Sequence, residues 1–163
     1  MNYDVEKLIE QNQMMVSLLS HMPAMVFSKD ASTGVYLACN QSFARYAHRP
    51  SPEEVVGLTD FQIFDEVTAA HFTEDDQKAL SMGEPHIFIE DVPDAAGNPR
   101  HFQTTKVKFT DATGRLCVLG LSVDVTVMTR SKTAEVEAQE LRRPVRPSLR
   151  HRPALRPRPV RHS

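Results

Sequence analysis

"RHFQTTKVKFTDATGRLCVLGLSVDVT", Arg100 to Thr126, carries the pattern that decides the fold. "RHFQTTKVKFT" alternates with period two and predicts a long strand. "DATG" supplies a turn, and "RLCVLGLSVDVT" resumes as a second strand. On that second strand Cys117, Leu119, Leu121 and Val123 form a wholly apolar face. Leu116, Val118, Gly120 and Ser122 form a face that is partly apolar. Such a strand is expected to be buried on one side and half covered on the other. It ends on Asp124-Val125-Thr126, and a helical pattern with charges follows.

Working outward, "EPHIFIEDV" is a further strand, joined to Arg100 through "DAAGNP" and its Gly-Asn-Pro turn residues. Earlier in the chain "AMVFSKD" and "VYLACN" flank "ASTG" and read as a hairpin. Between hairpin and meander lie short helices. Asn40 is a good N-cap for "QSFARYA", and "DEVTAAHFTEDDQKALSMG" is the best internal helix, closed by Gly83. The acids of "TEDDQK" are expected on a solvated face. The order predicts an α+β fold, an antiparallel five-stranded sheet with helices gathered on one face.

The segment 1–22 is an amphipathic helix. Val5, Leu8, Asn12, Met15, Leu19 and Met22 recur at alternating steps of three and four, an a/d seam with Asn12 at an a-type position. A single Asn there favours a parallel pair in one register, so a homodimer is expected. The alternative is an ordinary helix packed on its own domain. Pro23 stops it. Residues 23–126 then form the domain, 127–141 a linker helix, and 142–163 an Arg/Pro-rich tail. Five prolines beyond Leu141 forbid a helix, so the tail is expected to be disordered.

Charge follows the same division. The formal net charge is −2, but all 21 acids precede Leu141, and the last 23 residues hold eight Arg and no acid. The first 140 residues carry 11 Lys and Arg, a net of −10, which disfavours contact with a phosphate backbone. Nucleic acid is therefore expected only through the basic tail. That tail has no aromatic residue for base stacking. No apolar run is long enough to span a membrane. Cys39 and Cys117 read as free thiols in a reducing compartment, so a cytoplasmic location is expected.

The pieces, taken in order, resemble a PAS domain, the small sensory module of bacterial signalling proteins. The resemblance covers about Leu18 to Arg130. Asn40 and Phe43 stand in the places of the family's N-x-x-F segment, and "VGLTDFQIF" is similar to its "GKTDFDLF" stretch. "FTEDDQKALSMGEP" resembles the long helix ending in "TGEP", and Asp124-Val125-Thr126 stands where the family closes on D-I-T. The resemblance implies strand order 2-1-5-4-3, helices over one face, and a role in sensing and dimerisation rather than catalysis. It also implies that Asp124 and Thr126 relay a signal into the following helix. An output domain such as a histidine kinase or cyclase would normally follow that helix. The abrupt change at Leu141-Arg142 suggests that it is missing, with an Arg-rich nucleic-acid arm as the competing reading.

No catalytic constellation is present: there is no G-x-S-x-G, H-E-x-x-H or phosphate loop. The chain is not expected to be an enzyme. The seven histidines show no metal-ligand spacing, and no metal is expected. A ligand pocket is implied by the family, with Phe27, Phe43, Ile63, Phe64, Phe72, Phe88, Leu119 and Leu121 as candidate lining residues. A filled core is the competing reading for each. If the strand face holding His101, Gln103, Thr105, Val107 and Phe109 points inward, Gln103 and Thr105 are the polar groups a ligand meets. A bulge would reverse the faces. Haem through His71 is disfavoured, because one surface His beside one Phe makes a poor axial site. Flavin photochemistry is disfavoured too, because Cys39-Asn40-Gln41 does not match the family's Asn-Cys-Arg-Phe motif.

Overall fold

The computed structural model of the chain describes residues 2–93 and 96–142. Its strands are β1 (Met25–Asp30), β2 (Tyr36–Cys39), β3 (His86–Pro93), β4 (Pro99–Thr110) and β5 (Leu116–Asp124). They form one antiparallel sheet in the order β2-β1-β5-β4-β3. The expected α+β fold and strand order are present. β5 sits at the centre between β1 and β4.

The turns follow from their residues. Asp30 and Asp111 each fold a carboxylate back onto the turn that follows. Asp111 Oδ1 accepts from Thr113 N at 2.8 Å and from Arg115 N at 3.0 Å. Gly114 then takes a φ of 85°, which a side chain resists. Asp30 Oδ1 accepts in the same way from Ser32 N at 2.8 Å.

The helices are α1 (Asn2–His21), α2 (Gln41–Tyr46), α3 (Asp60–Ile63), α4 (Glu66–Ser81) and α5 (Thr126–Arg142), with a 3-10 turn at Pro52–Glu54. α4 is capped by Asp65, whose side chain accepts from Thr68 N at 3.0 Å. Asn40 caps α2 and does more. Its Oδ1 accepts from Phe43 N at 3.0 Å and Val26 N at 3.1 Å. Its Nδ2 donates to Leu19 O at 3.0 Å and Ala24 O at 2.8 Å. One buried amide, fully bonded, thus ties the end of α1 to β1 and α2.

The core lies between the sheet and α2 to α4. Phe27, Tyr36 and Phe43 meet there with ring centroids 4.8 to 5.8 Å apart. Phe27 crosses its strand neighbour Gly120, where a Cβ would come within 2.1 Å of the ring. Glycine at 120 is therefore a packing requirement. α1 stands apart: Val5, Leu8 and Met15 are each more than half exposed. The expected tail lies almost wholly at 143–163, outside the described residues.

Candidate functional site

The sheet turns one face toward the helices. Met25, Phe27 and Lys29 of β1 point that way. So do Glu90 and Val92 of β3, Phe102, Thr104 and Lys106 of β4, and Ser122 of β5. With Tyr36, Phe43, Tyr46 and Phe72 they enclose a cavity. It leaves about 20 Å³ for the centre of a water molecule, room for about one or two waters. Aromatic walls with a few converging polar groups are the usual make-up of a small-molecule site.

Below the cavity lies a closed ionic cluster. Lys29 Nζ donates to Asp60 Oδ2 at 2.5 Å and to Asp76 Oδ2 at 2.7 Å. Lys106 Nζ lies 2.6 Å from Asp76 Oδ1 and donates to Phe72 O at 3.1 Å. Tyr36 Oη donates to Asp60 Oδ1 at 2.6 Å. Two cations meet two anions, so the buried charge is balanced, as burial requires. The ammonium groups also sit over rings, Lys29 4.8 Å from Tyr36 and Lys106 5.6 Å from Phe72. Burial, with the Asp60 charge beside it, pushes the Tyr36 hydroxyl far up. Burial pushes Tyr46 up to about 12 and raises the Glu90 carboxyl above its ordinary value.

Three expectations need correction here. Asp75 and Asp76 of "TEDDQK" are buried, 3% and 7% exposed, rather than solvated. For Asp76 the reason is the pair of lysines that β1 and β4 send inward to meet it. The second correction is the face of β4. Thr104 and Lys106 point inward, while Gln103 is exposed and Thr105 lies on the opposite face. Lysine at 106 marked that face as outward only if unpaired; Asp76 reverses the argument. The third concerns β5, where Leu119 and Leu121 alternate with the inward Gly120 and Ser122. They belong to the outer face of the sheet and do not line the cavity.

The other candidates divide. Phe27, Phe43 and Phe72 line the cavity. Ile63 and Phe64 pack against the core cluster beside it. Phe88 lies on the inward side, stacked on His86 with centroids 4.9 Å apart and 5.7 Å from Lys106 Nζ. His71 does not face the cavity but an outer groove of about 700 Å³. Tyr46, Phe72, Glu90 and Val92 line both spaces and form the wall between them. The polar groups missed by sequence reasoning are Lys29, Glu90, Thr104, Lys106 and Ser122. A usable signal was the lysine within β1 and within β4, with adjacent aspartates on the helix between the hairpin and the meander.

At the far end of β5, Asp124 Oδ1 accepts from Thr126 N at 3.0 Å and Thr126 Oγ1 at 2.5 Å. Its other oxygen pairs with Arg100 at 2.7 Å. Thr126 Oγ1 accepts from His101 N at 2.9 Å, and Thr126 is buried. The first residue of α5 is thus bonded to β5 and to its neighbour β4. The Thr126 hydroxyl holds the Asp124 carboxyl below its usual range, with its backbone N–H and Arg100 assisting. On α1, Val5, Leu8, Asn12 and Met15 lie along an exposed helix. Leu19 is half-buried, and Met22 falls just past the helix end.

The comparisons agree with this geometry. The PAS domain of an HTR-like protein from Haloarcula marismortui superposes with a TM-score of 0.59 at 21% identity, over 76% of this chain and 99% of that one. Vibrio cholerae VqmA gives 0.61 at 22% identity, over 71% of this chain. The chain spans about half of the VqmA length, 52%. A phage VqmA in complex with DPO gives 0.59 at 26% identity, over 82% of this chain and 62% of that one. No curated protein matches. Among the described residues no helix is long and apolar enough to cross a membrane. A family model described as the PAS fold matches residues 19–130, and the chain belongs to that family of sensory domains.

Proposed function

We propose that this chain is a sensory module that holds a small polar aromatic molecule in the cavity beneath Phe27, Phe43 and Phe72. The observation that carries the reading is the convergence there of Glu90, Thr104, Lys106 and Ser122 on an aromatic-walled space. The cavity in its closed form takes only water, so a ligand enters by rotation of the wall it shares with the groove, Tyr46, Phe72, Glu90 and Val92. The phage VqmA–DPO complex supports a small-molecule ligand for this fold at 26% identity.

Ligand entry would press on β4 and β5, and the bonds of Thr126 to Asp124 and His101 would carry the shift into α5. The exposed apolar side of α1 would pair with a second copy, with Asn12 setting the register. In this reading the module acts by binding and relay, and it works in a reducing compartment such as the cytoplasm, where Cys39 and Cys117 stay free.

A second reading is favoured by a specific likeness. VqmA is also described in a ligand–DNA complex, and eight Arg follow Leu141 here. In that reading the basic segment brings the module to nucleic acid, and ligand binding regulates the contact.

The test is a thermal-shift screen of small heteroaromatic compounds. Ligands that raise the melting temperature of the wild-type chain should lose the effect in Ser122→Met, which fills the cavity. Stabilisation that persists in Ser122→Met sinks the cavity reading. Salt-sensitive retardation of DNA, abolished by replacing the eight Arg with Gln, would support the second reading.

A further inference from the structure

His71 and Asp75 stand four residues apart on α4, one turn apart on the same face. His86 and Glu90 stand four apart on β3, again on one face. α4 packs over β3 so that the two pairs meet beside the groove, with Glu90 also in the wall of the cavity. His71 Nε2 lies 3.3 Å from Asp75 Oδ2 and 3.8 Å from Glu90 Oε1. One donor atom from each of the three residues falls within 4.8 Å of the others.

Each carboxylate has one oxygen committed and one free. Asp75 Oδ1 takes Lys78 at 3.3 Å, with His86 Nε2 3.7 Å away. Asp75 Oδ2 is buried and accepts no hydrogen bond, although the side chain is only 4% exposed. Glu90 Oε2 takes the Thr104 hydroxyl at 2.9 Å, leaving Oε1 toward His71. A buried carboxylate oxygen without a donor is costly. Its orientation toward a second carboxylate and an imidazole is the arrangement a cation would reward.

We propose that His71, Asp75 and Glu90 form a binding site for a divalent transition-metal ion, zinc in the first instance. Ligands about 2.0–2.1 Å from a tetrahedral zinc lie about 3.3 Å apart, close to the two separations from His71, and the third lies within 4.8 Å. Imidazole nitrogen suits zinc and its neighbours, whereas magnesium and calcium ask for oxygen shells. The bonds from Lys78 and Thr104 to the far oxygens orient the ligands, as supporting contacts at metal sites do. The groove lined by His71 and Glu90 gives the ion its path in and leaves the fourth position open. Bound there, the ion clamps α4 to β3. Glu90 belongs both to this site and to the cavity wall, so an ion held here also fixes one side of that wall.

The test is calorimetric titration of the chelator-treated full chain with zinc, with cobalt as a visible-absorbing substitute. The expected result is one ion per chain and a zinc-dependent rise in melting temperature. Affinity should fall by at least about 100-fold in His71→Ala and in Glu90→Gln. His71 is 54% exposed, so its removal leaves the fold intact. Absence of zinc binding overturns the proposal. So does affinity retained in either variant, which would place the ion on other histidines such as His151 or His162.

Discussion

Lys106 Nζ of β4 lies 2.6 Å from Asp76 Oδ1 of α4, with both side chains closed to water. This pair, shared with Lys29 and Asp60, fixes the helix layer to the inner face of the sheet. Asp76→Asn leaves two buried ammonium groups against one carboxylate. A loss of about 3–5 kcal/mol in urea denaturation is expected. The double variant Asp76→Leu with Lys106→Met removes the pair together and should recover most of that loss.

Asn40 makes four hydrogen bonds with one amide. Asn40→Ala strands buried backbone groups on α1, β1 and α2 and should cost about 2–3 kcal/mol. Amide exchange at the end of α1 should accelerate with it. Asn40→Asp keeps the acceptor and loses the two donor bonds, so its cost should be intermediate if these contacts are the cause.

Gly120 leaves no room for a side chain, because the Phe27 ring lies over it. Gly120→Ala should destabilise the domain by about 1–3 kcal/mol through displacement of that ring. Phe27→Leu added in the same chain should give part of it back. An unchanged melting temperature for Gly120→Ala would mean that the ring is free to move.

The joint at Asp124 titrates. Its carboxyl is depressed in the fold, so the stability it contributes is present above the unfolded value near 3.8 and lost as pH falls through the folded value. Wild type should exceed Asp124→Asn in melting temperature at about pH 6, and the gap should narrow toward about pH 3. Thr126→Val removes the larger part of the depression and should flatten the dependence. A gap that is constant with pH would exclude a charged role for Asp124.

Much of the fold was readable in the sequence because period-two runs and turn residues are local signals. "DATG" and "ASTG" placed two of the hairpins, the wholly apolar set on β5 marked that strand as buried, and the family resemblance implied its central place. The interior was harder to read. Lys106 and Asp76 are far apart in the chain, and each alone looks like a surface residue. Only their pairing makes the inner face of β4 the one with Thr104 rather than Gln103. The same holds for His71 and Glu90: "HFTED" and "HIFIE" each repeat a histidine four residues before an acid, but only packing of α4 on β3 joins them. Asp124 and Thr126, two residues apart, were legible because their contact is local.

The proposed dimer pairs the exposed apolar side of α1 with that of a second copy. Sedimentation equilibrium should give a dimer for the wild-type chain and a monomer for Leu8→Glu with Met15→Glu. A wild-type monomer would remove α1 as a pairing helix.

The cavity beneath Phe27, Phe43 and Phe72 is the proposed ligand site. Native mass spectrometry of freshly purified chain, mixed with the best stabilising compound from the screen, reads it directly. The expected spectrum shows one compound per chain for wild type and bare chain for Ser122→Met, with the fold of both intact. Equal occupancy of the two, or bare wild-type chain throughout, would contradict it.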